Sequence, residues 1–320
     1  WGNQLSMVDF NLNPLQSIEN AFNEPQTNAT IVASPLSYSS TCGDITDWIP
    51  LPSSGGVISR GNYYLDGNVT LNTNIAISSG VVNIDLNGNI LWGALNSDQS
   101  IFTVTGGTLN IYDCDTSNKV HNYKIKEVKA TATQDIYYNS IDYDQKLFQR
   151  YYDFNDIGDG VIVGGIITGG HKYATKTDLK SNFNYTGGGS AILVGNTGGT
   201  VNLYGGTLSG NTSTALSQWG GKRQRSGTVG VMDGGTFNLH QGQIVGNSSR
   251  YGGAGIYLFG STYMPARVNI YGGIIEDNYA FDTAYNYSNT SSMFVGGAGI
   301  ATDNVGNGAS IVSLSGAPRI

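Results

Sequence analysis

Two chemistries would need converging side chains from this sequence. Glycoside hydrolysis needs a pair of carboxylates about 5–9.5 Å apart across the scissile bond. The acids that could supply it are Asp85, Asp113, Asp115, Asp233, Glu276 and Asp277. Asp113 and Asp115 share one bend, and Asp233 could meet carboxylates from adjacent turns of chain. Yet Asp85, Asp233 and Glu276/Asp277 occupy different positions of a repeated unit, so they are not expected to stack into one groove. A polysaccharide lyase would instead hold Ca²⁺ with carboxylates beside Arg or Lys bases. The one acid-dense run, Asp153-Phe154-Asn155-Asp156-Ile157-Gly158-Asp159-Gly160, has oxygen ligands and Gly but lacks EF-hand spacing. It reads as a hydrated turn, with a metal loop as the alternative. The histidines are His121, His171 and His240. None has a nucleophile beside it in sequence, and His121 lies in a basic stretch that reads as solvated. No catalytic residue and no cofactor is assigned.

Rings make a stronger pattern. Tyr112, Tyr204, His240 and Tyr271 follow the same motif in successive copies, so they share one outward position. In register they would form a stripe of the kind that sugars or partner chains pack against. The same rings would equally brace coil on coil. Both readings are open from sequence.

The elements that must position these residues are short repeats. Thr200–Asn211, Thr236–Asn247 and Arg267–Asn278 share one pattern; Thr108–Asp113 and Val312–Ala317 carry parts of it. A Gly-rich run precedes the motif, as in Gly252-Gly253-Ala254-Gly255-Ile256-Tyr257-Leu258. Each unit thus holds three short alternating runs separated by Gly and Asn, which read as strands with tight bends. Three runs per few tens of residues predict an all-β parallel β-helix, a single-stranded solenoid with three short strands per coil. A propeller blade would need about 40–45 residues and four strands. Alternation sends Val201/Leu203, Phe237/Leu239, Val268/Ile270 and Leu109/Ile111 inward. Asn110, Asn202, Asn238 and Asn269 then either face outward or occupy a bend, placed to form an amide ladder.

The chain divides accordingly. Residues 1–54 lack the repeat and are expected to cap or assemble the solenoid, with one short helix over Asn13–Phe22. The solenoid runs over 55–320, with an insertion at 115–158 and smaller inserts at 171–186, 211–226 and 279–295. The large insertion combines a basic part, Lys119–Lys129, with a Tyr/Asp-rich part. It is either the working face or a solvated flap. The compact basic group Lys222, Arg223 and Arg225 reads as a solvated loop. Cys42 and Cys114 either pair, with the N-terminal segment lying over the first coils, or each fill a core position.

Composition agrees with an uncharged extracellular all-β protein. Gly takes 46 of 320 residues, about twice the usual share, and only 12% are charged. The net charge of −7 argues against nucleic acid as a partner. No apolar run approaches the ~20 residues of a membrane span. A start at Trp1 fits a processed secreted chain. Asn-x-Ser/Thr sequons stand at Asn28, Asn68, Asn184, Asn211, Asn247, Asn286 and Asn289. Asn211 and Asn247 fall at one repeat position, at a bend, and are expected to be accessible.

The motif at Val201–Asn211, Phe237–Asn247 and Val268–Asn278, with its Gly252–Leu258 and Gly296–Ala301 partners, resembles right-handed parallel β-helix surface proteins. It is similar to the large adhesin-like proteins of Gram-positive bacteria and, more loosely, to the repeats of polymorphic outer-membrane proteins. The resemblance implies a secreted or cell-surface protein acting as adhesin, stalk or fibre-forming subunit, and carries no catalytic residues with it. Partners would be further copies of the chain, through open solenoid ends or the N-terminal segment, or a carbohydrate or host-surface protein. The alternative is a carbohydrate-active β-helix enzyme.

Overall fold

The computed structural model describes residues 47–93, 100–115, 117–130, 146–169, 191–195, 197–213, 227–249, 253–261, 263–280, 298–303 and 310–320. Among these the protein is all-β, with no helix. The expected helix at Asn13–Phe22 lies outside the described residues, as does the insert at 171–186.

Three large parallel sheets, of eight, seven and six strands, carry the fold, consistent with a β-solenoid. The chain visits them in rotation. Thr200–Leu203 lies in the eight-stranded sheet, Thr207–Ser209 in the six-stranded and Val229–Val231 in the seven-stranded. Thr236–Leu239 then returns to the first, directly beside Thr200–Leu203. Among the described residues parallel pairing begins at Ile49, which lies in the segment expected to cap the solenoid and pairs with Tyr63.

Equivalent repeat positions pair with one another. Leu109, Val201, Phe237 and Val268 are successive partners, as are Ile111, Leu203, Leu239 and Ile270. All are fully buried, so the alternation read from sequence is the interior of the eight-stranded wall. The seven-stranded sheet adds the column Phe102, Ile192, Val229 and Ile256, and the six-stranded sheet adds Leu91, Ile167, Leu208 and Ile244. Each such side chain contributes about 1.5–3 kcal/mol on burial. Corners are tight enough to demand glycine. Gly273 has φ 84°, and a Cβ there would sit 2.4 Å from the Gly242 carbonyl oxygen.

On the outside of the eight-stranded sheet the asparagines form a continuous ladder. Nδ2 of Asn83, Asn110, Asn202 and Asn238 each donates to Oδ1 of the asparagine one coil earlier, at 2.7 Å. Asn269 donates likewise to Asn238 at 2.8 Å. The ladder thus runs outward on the sheet rather than at a bend, and reaches back to Asn62 and Asn83.

The insertion is an antiparallel hairpin, Val120–Ala130 with Lys146–Asp153. Its first strand also pairs antiparallel with Gly160–Val163. The solenoid therefore resumes at Ile166, once Gly164 and Gly165 have turned the chain, rather than directly after Gly160.

Asn202 accepts one ladder bond and donates another, and each is worth about 0.5–1.5 kcal/mol. Asn202→Ala is expected to lower unfolding free energy by about 1–3 kcal/mol, read from the denaturant midpoint. An unchanged midpoint would contradict a stabilising ladder.

Candidate functional site

The ring positions lie just where the strands of the eight-stranded sheet end. Backbone pairing carries on through them. Tyr204 N donates to Ile111 O at 2.9 Å, His240 N to Leu203 O at 2.9 Å, and Tyr271 N to Leu239 O at 2.8 Å. The four rings therefore stack. Centroids are 5.0 Å apart for Tyr112–Tyr204, 4.4 Å for Tyr204–His240 and 4.8 Å for His240–Tyr271, with planes within 17° of parallel. This is the strand spacing of about 4.8 Å expressed in side chains. The column ends where the repeat departs from rings: Asp85 is the partner of Tyr112 on one side, and Ser315 follows Tyr271 on the other. Trp48 meets Tyr112 edge-on, with centroids 6.2 Å apart.

This geometry constrains what the stripe can bind. Each interior ring spends both faces on its neighbours, so the column shows solvent its edges. Among the described residues Tyr271, 46% exposed, is the last ring of the column. Burial holds His240 below its ordinary pKa, and burial, then the neighbouring Tyr204, pushes Tyr112 up. Both shifts favour the neutral form of the ring concerned. Beside the column runs the Asn ladder, so this outer wall is a band of amides and ring edges.

The acids are committed elsewhere. Asp85 is buried, and its Oδ1 accepts from Asn87 N and Cys114 N at 2.9 and 2.8 Å. Asp113 accepts from Gly88 N at 2.7 Å and Gly165 N at 2.6 Å. Burial pushes both carboxyls up, against the pull of those amides. Burial would also raise Asp115, but hydrogen bonds from Ser117 outweigh it and hold that carboxyl low. Asp85 thus joins Asp113 and Asp115 at one corner, a meeting that its strand position did not announce. There the three serve the backbone of the corner where the insertion leaves. Asp233 accepts from Ser261 N at 2.6 Å, Glu276 pairs with Arg319 at 2.5 Å, and Asp277 pairs with Arg150 at 2.5 Å.

The acid-dense run is a self-bonded turn. Asp153 Oδ1 accepts from Asn155 N and Nδ2, Asp159 accepts from Ile125 N, and Lys126 pairs with Asp153 and Asp156. Among the described residues no group of three or more His, Cys, Asp or Glu is arranged to hold a metal ion. His121, expected in a solvated stretch, instead has Nε2 2.8 Å from Gly88 O. His171, Lys222, Arg223 and Arg225 lie outside the described residues. Cys114 is disulfide-bonded; Cys42, the other cysteine of the chain, lies outside the described residues.

The expectation that Asn211 and Asn247 are accessible is corrected. They are 2% and 0% exposed. Asn211 Nδ2 reaches Asn247 Oδ1 at 3.1 Å, and Asn247 Nδ2 reaches Asn278 Oδ1 at 2.9 Å, so a second amide column runs through the corner. These amides also bond backbone carbonyls, as Asn211 does to Ile167 O and Asn247 to Leu208 O. No nitrogen is left for a glycan. The signal was present in sequence, as Asn at one position of all three copies. Asn68 is exposed; Asn28, Asn184, Asn286 and Asn289 lie outside the described residues.

His240 gives the column a pH signature. Its pKa is lower folded than the usual value of about 6.5, so the unfolded chain takes up the proton first. Its contribution is complete above that value and is lost as pH falls through the folded value. The melting temperature of wild type relative to His240→Phe is expected to drop between pH 7.5 and 5. A pH-independent difference would contradict this burial of a neutral ring. No protein-family model, curated protein or solved structure matches the chain, so the reading of the site rests on its geometry.

Proposed function

We propose that the chain is a right-handed, single-stranded parallel β-helix with three principal strands per coil, a short fourth at Thr212–Ser213, Ser248–Ser249 and Tyr279–Ala280, and a capping N-terminal segment. In this reading it acts without catalysis, as a secreted or surface-displayed adhesin, stalk or fibre-forming module. The observation that carries the proposal is the use made of the outer wall. Its repeated positions form an amide ladder and a ring column, while the nearby carboxylates Asp85 and Asp113 are turned onto backbone amides. A wall built this way is stiff, weakly charged and uniform along the axis, which suits display and contact. The resemblance of the repeats to adhesin-like proteins points the same way.

Two contact surfaces follow within this reading. Carbohydrate or a host-surface protein would meet the wall at the open face of Tyr271, where a sugar ring can stack. Further copies of the chain are the second partner in this reading, meeting it strand edge to strand edge.

A panel of soluble and insoluble polysaccharides separates this reading from the carbohydrate-active enzyme. The expected result is retention of a subset of glycans, weakened roughly tenfold by Tyr271→Ala, with no new reducing ends or unsaturated sugars after prolonged incubation. Product formation by wild-type protein would overturn the non-catalytic reading.

A further inference from the structure

The six-stranded sheet differs from the eight-stranded one on its outer side. Its outward positions include Ile90, Ile166 and Val245, which are apolar and buried. What buries them is the hairpin. Tyr123 and Tyr152, on paired hairpin strands, stack with centroids 3.9 Å apart and planes 7° from parallel, and pack on those residues. Phe154 and Ile125 pack alongside. The covered strands are consecutive neighbours of one sheet, from Ile90–Gly93 through Ile166–Thr168 and Thr207–Ser209 to Gln243–Val245 and Ile274–Glu276.

The hairpin is rooted at the near end and fastened at the far end. At the root, Asp113 joins Gly88 to Gly165, and Lys119 Nζ donates to Asn87 O and Asn89 Oδ1. Midway, Tyr152 N donates to Gly246 O at 2.9 Å. Gly246 must be glycine here, since a Cβ would sit 2.3 Å from the Tyr152 ring. At the far end, Asp277 accepts from Arg150 at 2.5 Å and from the Tyr152 hydroxyl. Asp277 holds a left-handed φ of 49°, a conformation seldom adopted except by Gly, Asn and Asp. That corner conformation presents its carboxylate to the hairpin.

In a solenoid each coil touches only its neighbours, so coils can open from an end one by one. We propose that the hairpin is a clasp that makes the coils from Ile90 to Asp277 open together, with Asp277 as its catch. It joins coils that share no strand pairing, through an apolar seam closed by the Arg150–Asp277 ion pair and the Tyr152 hydroxyl. Lifting the far coil requires breaking the catch. Lifting the hairpin exposes the outer face of several coils at once. The hairpin and the coil strands under it therefore share one opening equilibrium.

Hydrogen–deuterium exchange tests this on the full chain. In wild-type protein, amides of Lys146–Asp153, Gln243–Val245 and Ile274–Glu276 are expected to exchange with one common opening rate. Asp277→Asn tolerates the left-handed backbone and still accepts from Tyr152, but loses the pair with Arg150. It should speed exchange roughly tenfold or more in all three segments together. The proposal is overturned if wild-type hairpin amides exchange far faster than the strands beneath. It is equally overturned if the variant frees the hairpin while those strands keep wild-type rates. Should the variant fail to fold, the wild-type comparison decides by itself.

Discussion

Parallel, in-register pairing at about 4.8 Å puts every repeat residue directly above its own equivalent, and the rest of the structure follows from that constraint. Like must tolerate like. An amide does so well, because each side chain both donates and accepts, and the ladder from Asn62 to Asn269 uses the same bond at every step. An aromatic ring does so because its neighbour arrives at stacking distance. Charge does not, since equal charges one strand apart repel. The low charged fraction, 12%, is what this constraint asks of an outer wall.

Among the described residues much of the charge sits at corners or on the hairpin, and Arg267, on a strand of the eight-stranded sheet, has the uncharged Thr236 and Ile311 as register partners. Asp85 and Asp113 are acidic at positions that face backbone amides rather than another carboxylate at the same register. Lys126 and Arg150 are on hairpin strands and pair with acids of the turn and of the far corner. Ion pairs thus fasten the described strands of the insertion, and those strands lie over the coils.

How far sequence disclosed this depends on the range of each interaction. The interior columns, the Asn ladder and the ring stripe were legible, because a repeat writes a nearest-neighbour contact into every copy. Leu203 predicts Leu239 by position alone. The burial of Asn211 and Asn247 was misread, because a bend residue is normally wet; here the corner amides turn inward and bond the preceding strand. The hairpin contacts were not legible. Tyr152 and Asp277 are far apart in the chain, occur once each, and meet only after several coils have wound between them. The gathering of Asp85 with Asp113 and Asp115 was hidden for the same reason, since it depends on how a corner folds rather than on strand register.

The in-register coil stack underlies every column, and a single distance measures it. Asn62, Asn83, Asn110, Asn202, Asn238, Asn269 and Ser313 are successive partners, so Asn62 and Ser313 are six coil steps apart. Nitroxide labels at those two positions, read by pulsed electron resonance, are predicted to give one narrow distribution centred near 29 Å, from ~4.8 Å per step. A broad distribution, or one centred far from that value, would contradict the stack and every column built on it.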